Sequence, residues 1–151
     1  MSIERRYFQP FGFVLTLLRG RVNGPCVFRH LGEKAVETRG MQLTAELIDC
    51  RDLTDVSGLE SRDIHAAAQY ERDETNQNMG KLAILVPNDL IFGLARIYQS
   101  VSEPCRRDIE IFRTIEESLA WLELSNLHGE IEALKLAAAT ERQTEFQPAE
   151  G

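Results

Sequence analysis

A surplus of basic residues is missing from this chain. Its 24 acidic and 17 basic side chains leave a net charge of -7, so little is available to displace counterions from phosphates, and unassisted binding to nucleic acid is disfavoured. Cysteine is scarce too. Cys26, Cys50 and Cys105 are odd in number and widely spaced, which suggests neither a disulfide framework nor a two-cysteine metal knuckle and fits a reducing cytoplasm. No uncharged apolar run reaches the roughly 18 residues of a spanning helix, and the opening MSIERRYFQPFG carries charges where a secretory leader needs its apolar segment. The expectation is a soluble, unexported protein without membrane insertion. His30, His65 and His128 stand far apart, so no metal site is expected and each reads as a surface histidine on or near a helix. A glycine-rich phosphate loop is absent as well. GRVNG lacks the lysine and the spacing, and the corner at Pro87, Asn88 and Asp89 has no glycine to admit a pyrophosphate. No cofactor is expected, and no internal repeat or low-complexity tract is found.

What is present reads as one α/β domain. With 43% hydrophobic and 27% charged residues, the chain can bury a real core. Residues 3 to 8 and 12 to 19 are rich in aromatic and β-branched types and flank the turn chemistry of Gln9-Pro10-Phe11-Gly12, which predicts a β-hairpin. Basic Arg5, Arg6, Arg19 and Arg21 then lie on a solvated sheet face. Asn23-Gly24-Pro25 caps a helix over 25 to 38, with Val27, Phe28, Leu31 and Ala35 at helical spacing and Gly40 closing it. Residues 45 to 49 form an interior strand ending in the polar cluster Asp49 to Asp55. A second helix starts between Ser57 and Ser61, where Ser57 and Glu60 match a capping box, and Ile64, Ala67, Ala68 and the stem of Glu71 form its buried stripe.

The run Leu82 to Val86 is apolar throughout, as in a strand covered on both faces, and Pro87 ends it. Asn88 or Asp89 caps the next helix, whose Leu90, Ile91, Leu94, Ile97, Tyr98 and Val101 recur at steps of three and four. Residues 108 to 112 are a further strand, and Thr114 with Glu117 repeats the capping-box spacing before a helix to about 124. Strands alternating with helices imply parallel crossovers. Residues 1 to 124 are the expected α/β domain, 125 to 142 a C-terminal helix with Leu127, Ile131, Leu134 and Ala138 on one face, and 143 to 151 a polar, disordered tail. That apolar stripe must be covered by its own domain or by another copy, which predicts a homodimer.

AILVPNDLIFGLARIY followed by IEIFRTIEESLAWL resembles the SpoIIAA-like branch of the STAS/SEC14 superfamily, small bacterial proteins typified by anti-sigma-factor antagonists. The matching positions are Asn88-Asp89, Phe92-Gly93, Ala95-Arg96, Tyr98 and Ala120-Trp121-Leu122, and the likeness covers residues 1 to 122 in element order. It implies a mixed sheet of about five strands, an antiparallel hairpin joined to parallel βα units, with about four packed helices and here an extra C-terminal one. It also implies a non-catalytic regulatory or protein-interaction module; the SEC14 side implies instead a binder of a small apolar or lipid-like molecule. In the antagonists the switch is a serine within Asp-Ser-Ser-Gly-Leu at a helix start. Here DVSGL keeps the second serine as Ser57, while Val56 replaces the first, so Ser57 is the candidate phospho-switch.

Each candidate site has a plainer reading. Phosphate on Ser57 would place a charge of about -2 at a helix N-terminus, favoured by the dipole and opposed by Asp52 and Asp55; the plainer role is a cap contributing ~1 kcal/mol. Asp89 is a base or a cap. Gly93 costs a helix about 1 kcal/mol relative to alanine, for which close helix-to-sheet packing is the ordinary reason and a ligand the other. Arg96 reaches a bound anion or pairs with Asp49 or Asp89. Asp49, Asp52, Asp55, Asn88, Asp89, Gly93, Arg96 and Arg113 gather at the carboxyl ends of parallel strands, where open α/β folds place ligands or partners. Leu90, Leu94, Tyr98 and Trp121 would line an apolar pocket. Cys50 lacks a neighbouring histidine, so it reads as a partly buried structural thiol ahead of a hydrolase nucleophile.

Overall fold

The structure is a computed structural model that describes residues 2–74, 80–102 and 108–146. Its elements run β1 (Ser2–Phe8), β2 (Phe13–Asn23), α1 (Gly24–Glu37), β3 (Ala45–Gly58), α2 (Ser61–Glu74), β4 (Lys81–Leu85), α3 (Asp89–Ser102), β5 (Ile109–Phe112), α4 (Ile115–Leu122) and α5 (His128–Phe146). The strands form one sheet in the order β1-β2-β3-β4-β5. β1 pairs with β2 antiparallel and every later pair is parallel, which is the mixed sheet expected. At the hairpin a 3-10 turn over Gln9–Phe11 ends in Gly12, whose left-handed φ of 59° and a Cβ position only 2.7 Å from the Gln42 carbonyl oxygen admit no side chain.

Two apolar layers sandwich the sheet. On one face Phe13, Leu15, Leu17, Leu47, Ala83 and Leu85 meet α4 through Ile115, Leu119 and Leu122, the 3-10 turn before α5 through Leu127, and α5 through Ile131. On the other, Leu82, Ile84, Val86, Ile109 and Cys50 meet α1 and α3 through Cys26, Ile91 and Ala95, with α2 packed between α1 and α3. Residues 82 to 86 are buried throughout and β4 lies between β3 and β5, as unbroken apolarity predicts for a strand covered on both faces. The caps at Asn23 and Thr114 form as read. Cys26 N donates to Asn23 Oδ1 (2.9 Å) and Glu117 N to Thr114 Oγ1 (3.2 Å). The α5 stripe is covered within the chain: Ile131 has no accessible surface, Leu134 packs against the same core and Ala138 is buried. α5 continues past the expected end at residue 142 to Phe146; Cys105, residues 75–79 and the residues from 147 onward lie outside the described residues.

Several expectations are corrected. The polar cluster from Asp49 to Asp55 is not a loop: β3 runs to Gly58, paired with β2 as far as Asn23, while β4 accompanies it only to Asp49. The overhang is held by burial of Leu53 and Val56 and by the cross-strand pairs Arg21–Asp55 (3.1 Å) and Arg19–Asp52 (4.0 Å). The basic strand face is therefore paired rather than merely solvated. α1 turns a different face inward: Cys26, His30, Leu31 and Lys34 are buried, whereas Phe28 is 36% exposed, so His30 is no surface histidine. α1 ends at Glu37 with Thr38 as its cap, so Gly40 does not close it. α2 starts at Ser61, and its entry is fixed by Asp63, which accepts from Glu60 N (2.8 Å), so the Ser57 and Glu60 capping box is not formed.

Candidate functional site

The β2–β3 overhang and the start of α3 enclose a cleft of about 440 Å³ at the carboxyl end of the sheet. Leu53, Val56, Ile91 and Leu94 make its apolar floor; Asp55, Ser57, Asn88 and Leu90 stand around it. Asp55 organises the rim by accepting from Ser57 N (2.9 Å), Ser57 Oγ (2.6 Å) and Arg21 Nε (3.1 Å). These bonds, the Ser57 hydroxyl first, hold its carboxyl below the usual range. Ser57 therefore donates to a carboxylate and caps no helix. Asn88 is the cap of α3, accepting from Ile91 N (3.0 Å); Asp89 instead takes Arg113 Nη2 (2.8 Å), and that guanidinium lies over Phe92 at 4.8 Å. Leu90 is 65% exposed beside the cleft.

Not all of the predicted edge assembles there. Asp49 and Asp52 turn toward α5. Asp49 accepts from Arg51 Nη2 (2.9 Å) and Lys135 Nζ (3.0 Å), Lys135 also reaches Asp52 (3.2 Å), and Arg51 reaches Glu132 (3.0 Å). Burial alone would raise the Asp49 carboxyl, but Arg51 and Lys135 outweigh it and hold it below the usual range. Arg96 pairs with neither Asp49 nor Asp89; it donates to Gln99 (2.7 Å). Gly93 is exposed and a Cβ there would meet nothing within 4 Å, so close packing is not its reason.

The expected apolar pocket divides in the same way. Leu94 and Tyr98 line a cavity of about 120 Å³ between the sheet and α1, α2 and α3, while Leu90 belongs to the outer cleft. Trp121 lies against the opposite face of the sheet, 5.7 Å from the Phe112 ring and under Lys81 Nζ at 5.0 Å. In its place sequence reasoning missed a buried ionic cluster. Lys34 Nζ sits 3.2 Å from both Glu46 carboxylate oxygens and 2.7 Å from Glu71, and Thr16 Oγ1 donates to Glu46 (3.3 Å). A glutamate inside the apolar run of an interior strand was its one sequence signal, because such a group must find a partner.

No protein-family model and no curated protein matches the chain. Solved structures do. An uncharacterised DUF3478-family protein from Shewanella loihica PV-4, described as SpoIIAA-like in fold, superposes with a TM-score of 0.54 at 15% identity over 80% of this chain and 92% of its own. The chain has a SpoIIAA-like fold. The anti-sigma factor antagonist SpoIIAA in its unphosphorylated form gives the same TM-score of 0.54 at 11% identity, over 81% and 98% of the two chains.

Within this SpoIIAA-like fold, Ser57 occupies the last residues of β3 and not a helix start. Its hydroxyl is exposed and already polarised by Asp55. On the cavity side Cys50 is not an activated nucleophile: burial pushes its thiol up to about 12, with Asp49 adding to it. His30 is pushed down to about 4, first by burial and then by Lys34, with Arg5 contributing. Arg5 Nη1 donates to His30 Nδ1 (2.8 Å), so the neutral ring carries its proton on Nε2. Among the described residues no cluster of His, Cys, Asp and Glu is arranged to hold a metal ion, and no helix is long and apolar enough to cross a membrane.

Proposed function

We propose that this protein is a cytoplasmic, non-catalytic regulatory module that docks a partner protein at the cleft between the β2–β3 overhang and α3, with phosphorylation of Ser57 as its switch. The observation that carries the reading is the juxtaposition of an exposed Leu90 with Ser57 and Asp55 in one cleft. An exposed leucine over an apolar floor supplies the desolvated anchor that interfaces use, and the polar rim supplies registry. A fold shared with an anti-sigma factor antagonist supports the regulatory sense. Phosphate on Ser57 would add a charge of about -2 beside Asp55 and repel an acidic or apolar partner surface.

Cross-linking followed by mass spectrometry, run on wild type, Leu90→Ser and Ser57→Asp, tests this. One protein should be captured through cleft residues by wild type and lost in both variants, with circular dichroism unchanged. Capture that survives both substitutions would remove the cleft from the interface. A second copy of the chain is an alternative occupant, and sedimentation of wild type against Leu90→Ser separates self-association from a foreign partner.

The second reading is a binder of a small apolar molecule, favoured by the cavity under α1, α2 and α3. Native mass spectrometry of the purified protein checks it through a co-purifying adduct released on denaturation.

A further inference from the structure

The cavity beneath α1, α2 and α3 is unusual for its position. Ile48 lies mid-strand in β3, with β2 and β4 on either side and helices above, yet it keeps accessible surface, as does Leu18 beside it. Interiors are packed nearly to crystal density, with few voids larger than a water molecule. Here a space of about 120 Å³ opens over the centre of the sheet, the size range in which a dry apolar cavity of ~150 Å³ accepts benzene. Most of the wall is aliphatic, contributed by Val27 of α1, Ile64 of α2 and Leu94 of α3 over Ile48 and Ile84.

One end is different. Among the described residues Lys34 and Glu71 are the charged members of the lining, Glu46 stands behind Lys34, and all three are buried. Lys34 already pairs with Glu46 and Glu71, so an anion brought there would have to shed its hydration and compete with two carboxylates for that ammonium. The neutral His30 ring and the Thr16 hydroxyl belong to the lining as well, giving that end donors and acceptors together. A hydroxyl, which donates once and accepts twice, suits such a mixture; a second ammonium would have to shed its hydration inside an apolar wall.

We propose that this cavity binds a small, uncharged, largely apolar molecule with a single hydroxyl, seated with the hydroxyl toward Lys34, Glu46 and Glu71 and the hydrocarbon over Ile48 and Ile84. The proposal rests on the second reading above and adds to it the charge and head group of the ligand.

The test uses the full chain with methyl-labelled isoleucine, leucine and valine, titrated at pH 7 with 1-pentanol and separately with pentanoate, which is ionised at that pH. Pentanol should shift the Ile48 and Ile84 methyls saturably, at least about tenfold more tightly than pentanoate. Ala67→Leu, which places a larger side chain on the cavity wall, should abolish the pentanol shifts. Glu71→Gln should narrow the difference between the two ligands. Equal binding of alcohol and acid by wild type would overturn the head-group assignment and leave the apolar-binder reading standing. No shift with either ligand would overturn both, and this wild-type comparison holds whether or not the variants fold.

Discussion

His30 shows how strongly position governs a single side chain. Burial, then Lys34, and Arg5 as well, press its pKa down to about 4 against the opposing pull of Glu46 and Glu33, while the unfolded imidazole titrates near ~6.5. Between these values the unfolded chain holds a proton that the folded chain lacks, so stability rises with pH through the window and is complete above it. Acidification from pH 6.5 to 4 should therefore cost about 1.4 kcal/mol per pH unit from this residue. Glu37, held at about 2 chiefly by its bond from Arg5, acts mainly below that range. Urea melts of wild type and His30→Gln at half-unit steps check it: the variant should lose the slope, and matching slopes would mean that the ring titrates normally. Gly93 makes the opposite kind of claim. With open space around its missing Cβ, Gly93→Ala should stabilise the protein by about 1 kcal/mol, read as a higher denaturation midpoint at unchanged m-value.

At the scale of elements, α5 is fastened twice. Its apolar side enters the sheet core through Ile131, and its charged side meets β3 through Lys135 and Glu132, which pair with Asp49 and Arg51. Ile131→Ala should cost about 3 kcal/mol in chemical denaturation, as expected for a large core truncation. Leu136→Ala on the same helix, at a site 70% exposed, should stay within about 0.5 kcal/mol; equal effects would contradict the packing of this helix. The β2–β3 overhang is the element that sequence pattern concealed. Its buried Leu53 and Val56 are spaced three apart by irregular register, so no strict alternation marks a strand. Arg19 and Arg21 lie far along the chain from the acids they meet, Asp52 and Asp55, and charge complementarity at that separation is visible only once the strands are side by side.

For the molecule as a whole, Cys50 reports on opening of the core. It lies in the core at 5% exposure with its thiol raised to about 12. Pulse labelling at pH 8 with peptide-level mass spectrometry should modify it only as fast as the protein opens, and labelling at the rate of a free cysteine would show an accessible thiol.

The order of strands and helices from Leu82 onward was readable because a strand covered on both faces must be apolar throughout, and because caps such as Asn88 and Thr114 act over three residues. Local chemistry of that kind is complete in the sequence. The length of β3, the inward turn of His30 and Lys34, the ionic cluster with Glu46 and Glu71, and the separation of Trp121 from Leu94 by the thickness of the sheet were decided by tertiary structure. Each depends on which residues distant in the chain share a face, and a polar group's environment, unlike a helix's period, is set by partners that no local pattern names.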